Sequence, residues 1–198
     1  MGGTPPSRTL TESHAKTTEL QDYKMRIRPG GPEDTPIVLS LFDDAVAWLV
    51  SQGLEGQWGT EPWSQVPARV ARVRNLTAEG LWIAELDTEP DEAGEAGRPV
   101  GALTATETSP TYAPAVDERE LYVHLLLASR SHPGRRIGSG LLDHAREQAR
   151  ARDISLVRVD CWSGGNGALI RYYENQGFTP TERAPVGDRE VQVFETRV

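Results

Sequence analysis

Residues 133–140, Pro-Gly-Arg-Arg-Ile-Gly-Ser-Gly, carry the clearest chemical signal in this sequence. An apolar run, 121–128, precedes them, and an amphipathic stretch, 137–152, follows. A strand, a glycine-rich turn and a helix in that order bring several backbone N–H groups and the positive end of a helix dipole to one point. Such a point binds phosphate, and Arg135 and Arg136 add positive charge beside it. Neither Gly138 nor Gly140 is followed by the Lys and Ser/Thr of a P-loop. A dinucleotide fingerprint also fails, because Gly138-Ser139-Gly140 runs into Leu141-Leu142-Asp143 without a third glycine. On this segment alone, a plain glycine turn capping a surface helix stands about equally well.

Other reactive side chains are sparse. Cys161 is the only cysteine, which excludes an internal disulfide and a cysteine zinc site. His14, His124, His132 and His144 show no ligand spacing, so no metal is expected. A net charge of −8 argues against a nonspecific grip on nucleic acid. No apolar run approaches the ~20 residues of a membrane span, and no signal-peptide core follows Met1. These absences predict a soluble cytoplasmic protein with neither a nucleic-acid nor a membrane partner.

The elements that position the turn follow from periodicity. Residues 1–24 are polar and aperiodic and are expected to form a flexible tail. The domain then spans 25–198. A short strand (25–30) leads to a helix opened by Pro32, with Ile37, Leu41, Ala45, Trp48 and Leu49 at helical spacing and Gly53 at its end. A second helix is expected near 62–78. Strands at 80–87 and 98–107 flank an acidic Gly/Pro-containing connection, 88–97, which reads as a flexible hairpin tip. The run 121–128 is almost wholly apolar and should lie centrally with both faces covered. Helix 137–152 buries Ile137, Leu141, Leu142, Ala145 and Ala149, and strand 154–162 completes a right-handed β-α-β unit. A helix at 167–176 stops at Gly177, and 191–198 forms the last strand. The order β-α-α-β-β-β-α-β-α-β describes an α/β fold with a mixed sheet. Strand 191–198, read as an edge, would suit a homodimer.

That order, together with LLLASRSHPGRRIGSGLL (125–142) and NGALIRYYENQGF (166–178), resembles the GNAT superfamily of acetyl-CoA-dependent N-acyltransferases. The likeness spans 25–198 and implies a sheet whose fourth and fifth strands splay apart. Two positions depart from the family pattern. Pro133 stands in place of the usual Arg or Gln, and Arg136 in place of the first glycine. A negative φ at Arg136 would let the loop keep presenting its N–H groups. A second match, Arg135-x-x-Gly138-x-Gly140, would displace the helix by two residues.

The resemblance implies transfer of an acetyl group from acetyl-CoA to a primary amine of a small molecule or peptide, by direct attack in a ternary complex. It assigns the diphosphate to Pro133, Gly134, Arg135, Arg136, Ile137, Gly138 and Ser139. The pantetheine arm falls to Leu126, Leu127 and Ala128, with a backbone N–H such as that of Leu126 polarising the thioester carbonyl. Asn166 is placed against the cofactor arm, with capping of its own helix as the alternative. Tyr173 takes the general-acid position, core packing being the alternative. His124 takes the general-base position, and a satisfied buried histidine is the alternative. Glu107 and Asp160 stand behind it as further base candidates. The acceptor pocket is assigned to Trp58, Trp63 and Tyr112, which could equally pack the helical layer. A non-catalytic acyl-CoA sensor on the same fold and a cofactor-free partner-binding protein are the other classes.

Overall fold

The computed structural model describes residues 24–87 and 97–198. The expected tail and nearly all of the acidic connection lie outside the described residues. Strand β1 (Met25–Pro29) is followed by a 3-10 turn (Pro32–Asp34) and helix α1 (Thr35–Ser51). A second 3-10 turn (Trp63–Gln65) precedes helix α2 (Pro67–Thr77). The expected start of α2 at 62 moves to 67 because Pro67 drives Val66 into extended backbone, φ −110° and ψ 107°. Strands β2 (Leu81–Leu86), β3 (Arg98–Thr106) and β4 (Glu120–Ala128) come next. Helix α3 (Ile137–Arg150), strand β5 (Leu156–Trp162) and helix α4 (Ala168–Asn175) follow.

The chain closes with two strands, β6 (Thr179–Val186) and β7 (Arg189–Arg197), where a single final strand was expected. Gly187, at φ 62°, turns the hairpin. Sheet order is β1-β2-β3-β4-β5-β7-β6, so β7 lies inside the sheet and β6 forms the edge. This corrects the expectation of an edge at 191–198. Pro180 and Pro185 are tolerated in β6 because an edge strand can spare ladder hydrogen bonds, and with Glu182 and Arg183 they blunt it against a second copy.

Among the described strands, only β4 and β5 pair in parallel. One sheet face is covered by α3 and α4, with Ile137, Leu141, Leu142, Ala145, Ala149, Tyr173 and Phe178 in one cluster. The other face is covered by α1 and α2, with Val38, Leu41, Phe42, Val46, Trp63 and Val73. Leu41 and Leu49 of the expected α1 stripe are buried, Ile37, Ala45 and Trp48 are only partly so, and Val38, Phe42 and Val46 take their place in the core. Central β4 serves both clusters. Leu121 and Val123 face α3, whereas Leu125 and Leu127 face α1 and α2. The switch occurs at His124, where the β3 register jumps from Thr104↔Leu125 to Ala105↔Val123. One extra residue reverses the facing of everything beyond it, and a bulge of this kind re-aims side chains.

Candidate active site

The β4–β5 ladder runs from Glu120↔Leu156 to Val123↔Val159 and ends there. Beyond that point β4 stays with β3 through Gly101↔Ala128, while β5 stays with β7 through Trp162↔Val191. The two strands part, leaving a wedge with Leu126, Leu127 and Ala128 on one side and Cys161 and Trp162 on the other. The expected splay is present, and the bulge at His124 lies at its apex.

On the α1/α2 face of the wedge, His124 Nε2 lies 2.8 Å from Thr106 Oγ1. The Thr106 hydroxyl donates its one proton to the Thr108 carbonyl at 3.1 Å. An Nε2–H tautomer, in which this hydroxyl accepts from His124, fits that arrangement and would leave the lone pair on Nδ1. Burial pulls the His124 pKa below its ordinary value, against a hydrogen bond to the Thr108 backbone and the nearby Asp160 and Glu120 charges. His124 is thus neutral and able to accept a proton at neutral pH.

Asp160 lies beside it on β5. Its Oδ2 accepts from Tyr122 Oη at 2.7 Å and from Tyr112 Oη at 3.0 Å. Burial raises the Asp160 carboxyl above the ordinary aspartate value, and the two phenol hydrogen bonds oppose that rise. Burial, followed by the Asp160 charge, also pushes both tyrosine hydroxyls up, so they stay protonated donors. Tyr112 reaches this cluster from the loop between β3 and β4, which Arg158 secures by donating to the Pro114 carbonyl at 2.9 Å. Glu107, the other base candidate, lies apart, exposed and paired with Arg119 at 3.0 Å.

Tyr173 occupies the opposite face, in the cluster built around α3. It is 6% exposed, and its ring lies 5.4 Å from Phe194 and 6.0 Å from Phe178. The α4 terminus fixes this placement. Phe178 N–H donates to the Tyr173 carbonyl at 3.1 Å, and Gly177 takes the left-handed conformation, φ 81°. Burial raises the Tyr173 hydroxyl well above the usual phenol, with further contributions from Cys161, Tyr172 and Asp160. Cys161 itself is buried, and its thiol is pushed up to about 12.

Helix α3 starts at Ile137, which supports the alignment with Pro133 at its head and places Gly138 and Gly140 inside the first turn. Arg136 is the residue before the helix, and its backbone is left-handed, φ 54° and ψ 31°. The negative φ that would have let an arginine replace the glycine without strain is not the one adopted. The site needs the conformation that glycine adopts freely, and an arginine holds it under strain. Arg136 O accepts from Gly140 N at 2.9 Å, so the N–H groups of Ile137, Gly138 and Ser139 form the open end of the helix. Gly134, at φ 78°, is exposed with open space around it. Pro133 is also exposed and offers no N–H.

Tyr172, set roughly 100° around the helix from Tyr173 and therefore not expected to be the acid, meets the α3 turn. It hydrogen-bonds the Ser139 side chain, and a Cβ on Gly138 would come within 2.3 Å of its hydroxyl. Packing against Tyr172 by itself requires Gly138 to be small. Asn166 Oδ1 accepts from Ala168 N–H at 3.0 Å, which gives this side chain a capping contact at the start of α4.

The three expected acceptor-pocket residues separate. Tyr112 joins the Asp160 cluster. Trp63 is 6% exposed and stacks flat on Phe42 with centroids 4.0 Å apart, so it belongs to the packing of the helical layer. Trp58 is half-buried, edge-on to Phe42 at 5.1 Å. Its neighbour Gln57 is tied to the final hairpin by Arg189, whose guanidinium donates to the Gln57 carbonyl at 2.6 Å. Tyr122 and Thr106 complete the polar cluster and were missed. Their one sequence signal is the Tyr-x-His alternation at 122–124, which a bulged strand turns toward Asp160 on its neighbour.

Among the described residues no helix is long and apolar enough to cross a membrane. No curated protein matches the chain at a significant level. Solved structures do resemble it. An acetyltransferase of the GNAT family from Listeria monocytogenes 4b F2365 is 18% identical over 88% of this chain and 95% of its own, TM-score 0.59. Ribosomal-protein-alanine N-acetyltransferase from Brucella melitensis is 18% identical over 87% and 99%, TM-score 0.56. YncA from Salmonella typhimurium, solved with its cofactor acetyl-CoA, is 18% identical over 87% and 93%, TM-score 0.53. At such identities the likeness is one of fold. A sequence profile described as the Acetyltransferase (GNAT) family matches residues 43–178, most of the chain, and spans the wedge, the α3 loop and α4. The chain belongs to the GNAT acetyltransferase family.

Proposed function

We propose that the chain transfers an acetyl group from acetyl-CoA to a primary amine of a small molecule or peptide, by direct attack within a ternary complex. The observation that supports this reading is the wedge, with His124 on its α1/α2 face and Tyr173 packed on the α3/α4 side. In the Nε2–H tautomer His124 keeps a lone pair at Nδ1, and Tyr173 stays protonated.

The residues fit acetyl-CoA. The open N–H groups of Ile137, Gly138 and Ser139, with the dipole of α3, would hold the diphosphate, and Arg135 and Arg136 add charge. The β4 backbone at Leu126, Leu127 and Ala128, released from β5, offers peptide-like hydrogen bonding to the pantetheine arm. When bound, acetyl-CoA supplies an acyl thioester. His124 Nδ1 accepts a proton from the attacking ammonium, freeing the nitrogen lone pair. A backbone N–H such as that of Leu126 stabilises negative charge on the acyl oxygen. Tyr173 gives its proton to the leaving sulfur. Cys161 is not used as a nucleophile, since a thiol pushed up to about 12 holds almost no thiolate at neutral pH.

Initial rates at varied acetyl-CoA and varied amine test the ternary complex, with thiol release as the readout. Intersecting double-reciprocal lines are expected. Parallel lines would indicate an acyl-enzyme and refute direct attack.

A further inference from the structure

Among the described residues, the buried carboxylates Asp34, Glu85 and Glu120 are matched to arginines, and the half-buried Asp160 is not. Asp34 meets Arg28 at 2.7 Å, Glu85 meets the same arginine at 2.7 Å, and Glu120 meets Arg158 at 3.1 Å. Asp160 stands largely inside the wedge, and among the described residues no salt bridge reaches it. The Arg72 guanidinium exerts a weak pull on Asp160 but rests on Trp63, 5.9 Å from the ring centroid. A carboxylate largely removed from water and without a cation is costly, and one from elsewhere would offset that cost.

The two oxygens of Asp160 differ. Oδ2 accepts both phenols, Tyr122 and Tyr112. Oδ1 accepts no hydrogen bond among the described residues, yet it is not one of the sealed, unpartnered polar atoms. It is therefore an open acceptor at the wedge, on the carboxylate whose other oxygen is held by the Tyr112 and Tyr122 hydroxyls. An open carboxylate oxygen largely removed from water suits a cation. A metal ion is poorly served, because no three His, Cys, Asp or Glu side chains converge among the described residues.

We propose that Asp160 is the ammonium-binding residue of the acceptor site, with Oδ1 receiving the cationic head of a primary amine beside His124. This rests on the amine-acetylation reading above. The geometry also selects within cations. A guanidinium prefers two parallel acceptors, and Oδ2 already holds two donors, so one free oxygen favours the N–H of an alkylammonium. Tyr112 and Tyr122 act as positioning residues, holding the carboxylate so that Oδ1 faces outward.

The test compares wild type with Asp160→Asn on a panel of butylamine, benzylamine, tyramine and a tripeptide with a free N-terminus. Turnover is followed by thiol release, and amine binding in the presence of CoA by calorimetry. For the variant, KM for the preferred amine is expected to rise 10- to 100-fold, and calorimetric amine binding is expected to weaken in parallel. Its acetyl-CoA affinity should stay within twofold, and its Tm should be unchanged or higher. A variant that folds, binds acetyl-CoA and keeps the wild-type KM would overturn the proposal while leaving the acetylation reading intact. A wild type that binds acetyl-CoA but neither binds nor acetylates any amine would overturn both.

Discussion

Replacing Arg136 by glycine should stabilise the protein, which runs against the usual cost of placing glycine beside a helix. Arg136 sits at φ 54° and ψ 31°, where a side chain costs about 1–2 kcal/mol through crowding of Cβ against the backbone. Glycine removes that strain and returns roughly 0.5–1 kcal/mol through the greater freedom of its unfolded chain. The side chain itself is exposed, so little packing is lost. Arg136→Ala is the necessary control, because it removes the same charge and keeps the strain. The glycine variant should exceed the alanine variant by about 1 kcal/mol, or about 2–4 °C in Tm for a chain of this size. Differential scanning calorimetry of both apo-proteins measures the difference. Both variants should lose acetyl-CoA affinity to the same modest extent, about two- to fivefold, since one exposed charge is worth at most ~1 kcal/mol. An alanine variant as stable as the glycine variant would refute the left-handed assignment and the strain argument with it.

Three further outcomes follow from the same geometry. Tyr173→Phe should lower kcat about 10²-fold or more with little change in the acetyl-CoA Kd, because a general acid acts only as the sulfur departs; an unchanged kcat in a rate-limiting chemical step would remove Tyr173 from the chemistry. Gly80→Ala should destabilise by at least ~2 kcal/mol, since a Cβ there would lie 2.1 Å from the Ala105 carbonyl at a φ of +66°; a denaturation midpoint equal to wild type would contradict the β2–β3 packing. Burial lowers the pKa of His124, His132 and His144 in the folded state. As pH falls below about 6.5, the unfolded chain takes up protons that the native chain refuses, so stability declines from that point down to the folded pKa values and then levels off. Urea unfolding should show a lower midpoint at pH 5 than at pH 7.5, and His124→Gln should reduce the difference.

Local chemistry made much of this protein legible from its residues. The glycine-rich turn before α3, the five apolar positions of that helix and the Gly177 stop depend on near neighbours along the chain, and they appear where the periodicity puts them. Candidate residues on both sides of the wedge, His124 and Tyr173, came from motif resemblance. Other features depended on partners distant in sequence. A bulge at His124 is invisible in an apolar strand, because it is defined by a missing partner on β3. The final hairpin was read as one strand because its prolines are acceptable only at an edge, and edge status is set by the whole sheet. Trp63 could have lined a pocket or filled a core, and its stacking on Phe42 decided for the core. Asp160 gained its meaning only when folding brought Tyr112 from a loop and Tyr122 from β4 to the same oxygen, with no salt bridge to it among the described residues. Sequence determines such things through long-range packing, and packing can be read only once the chain has closed on itself.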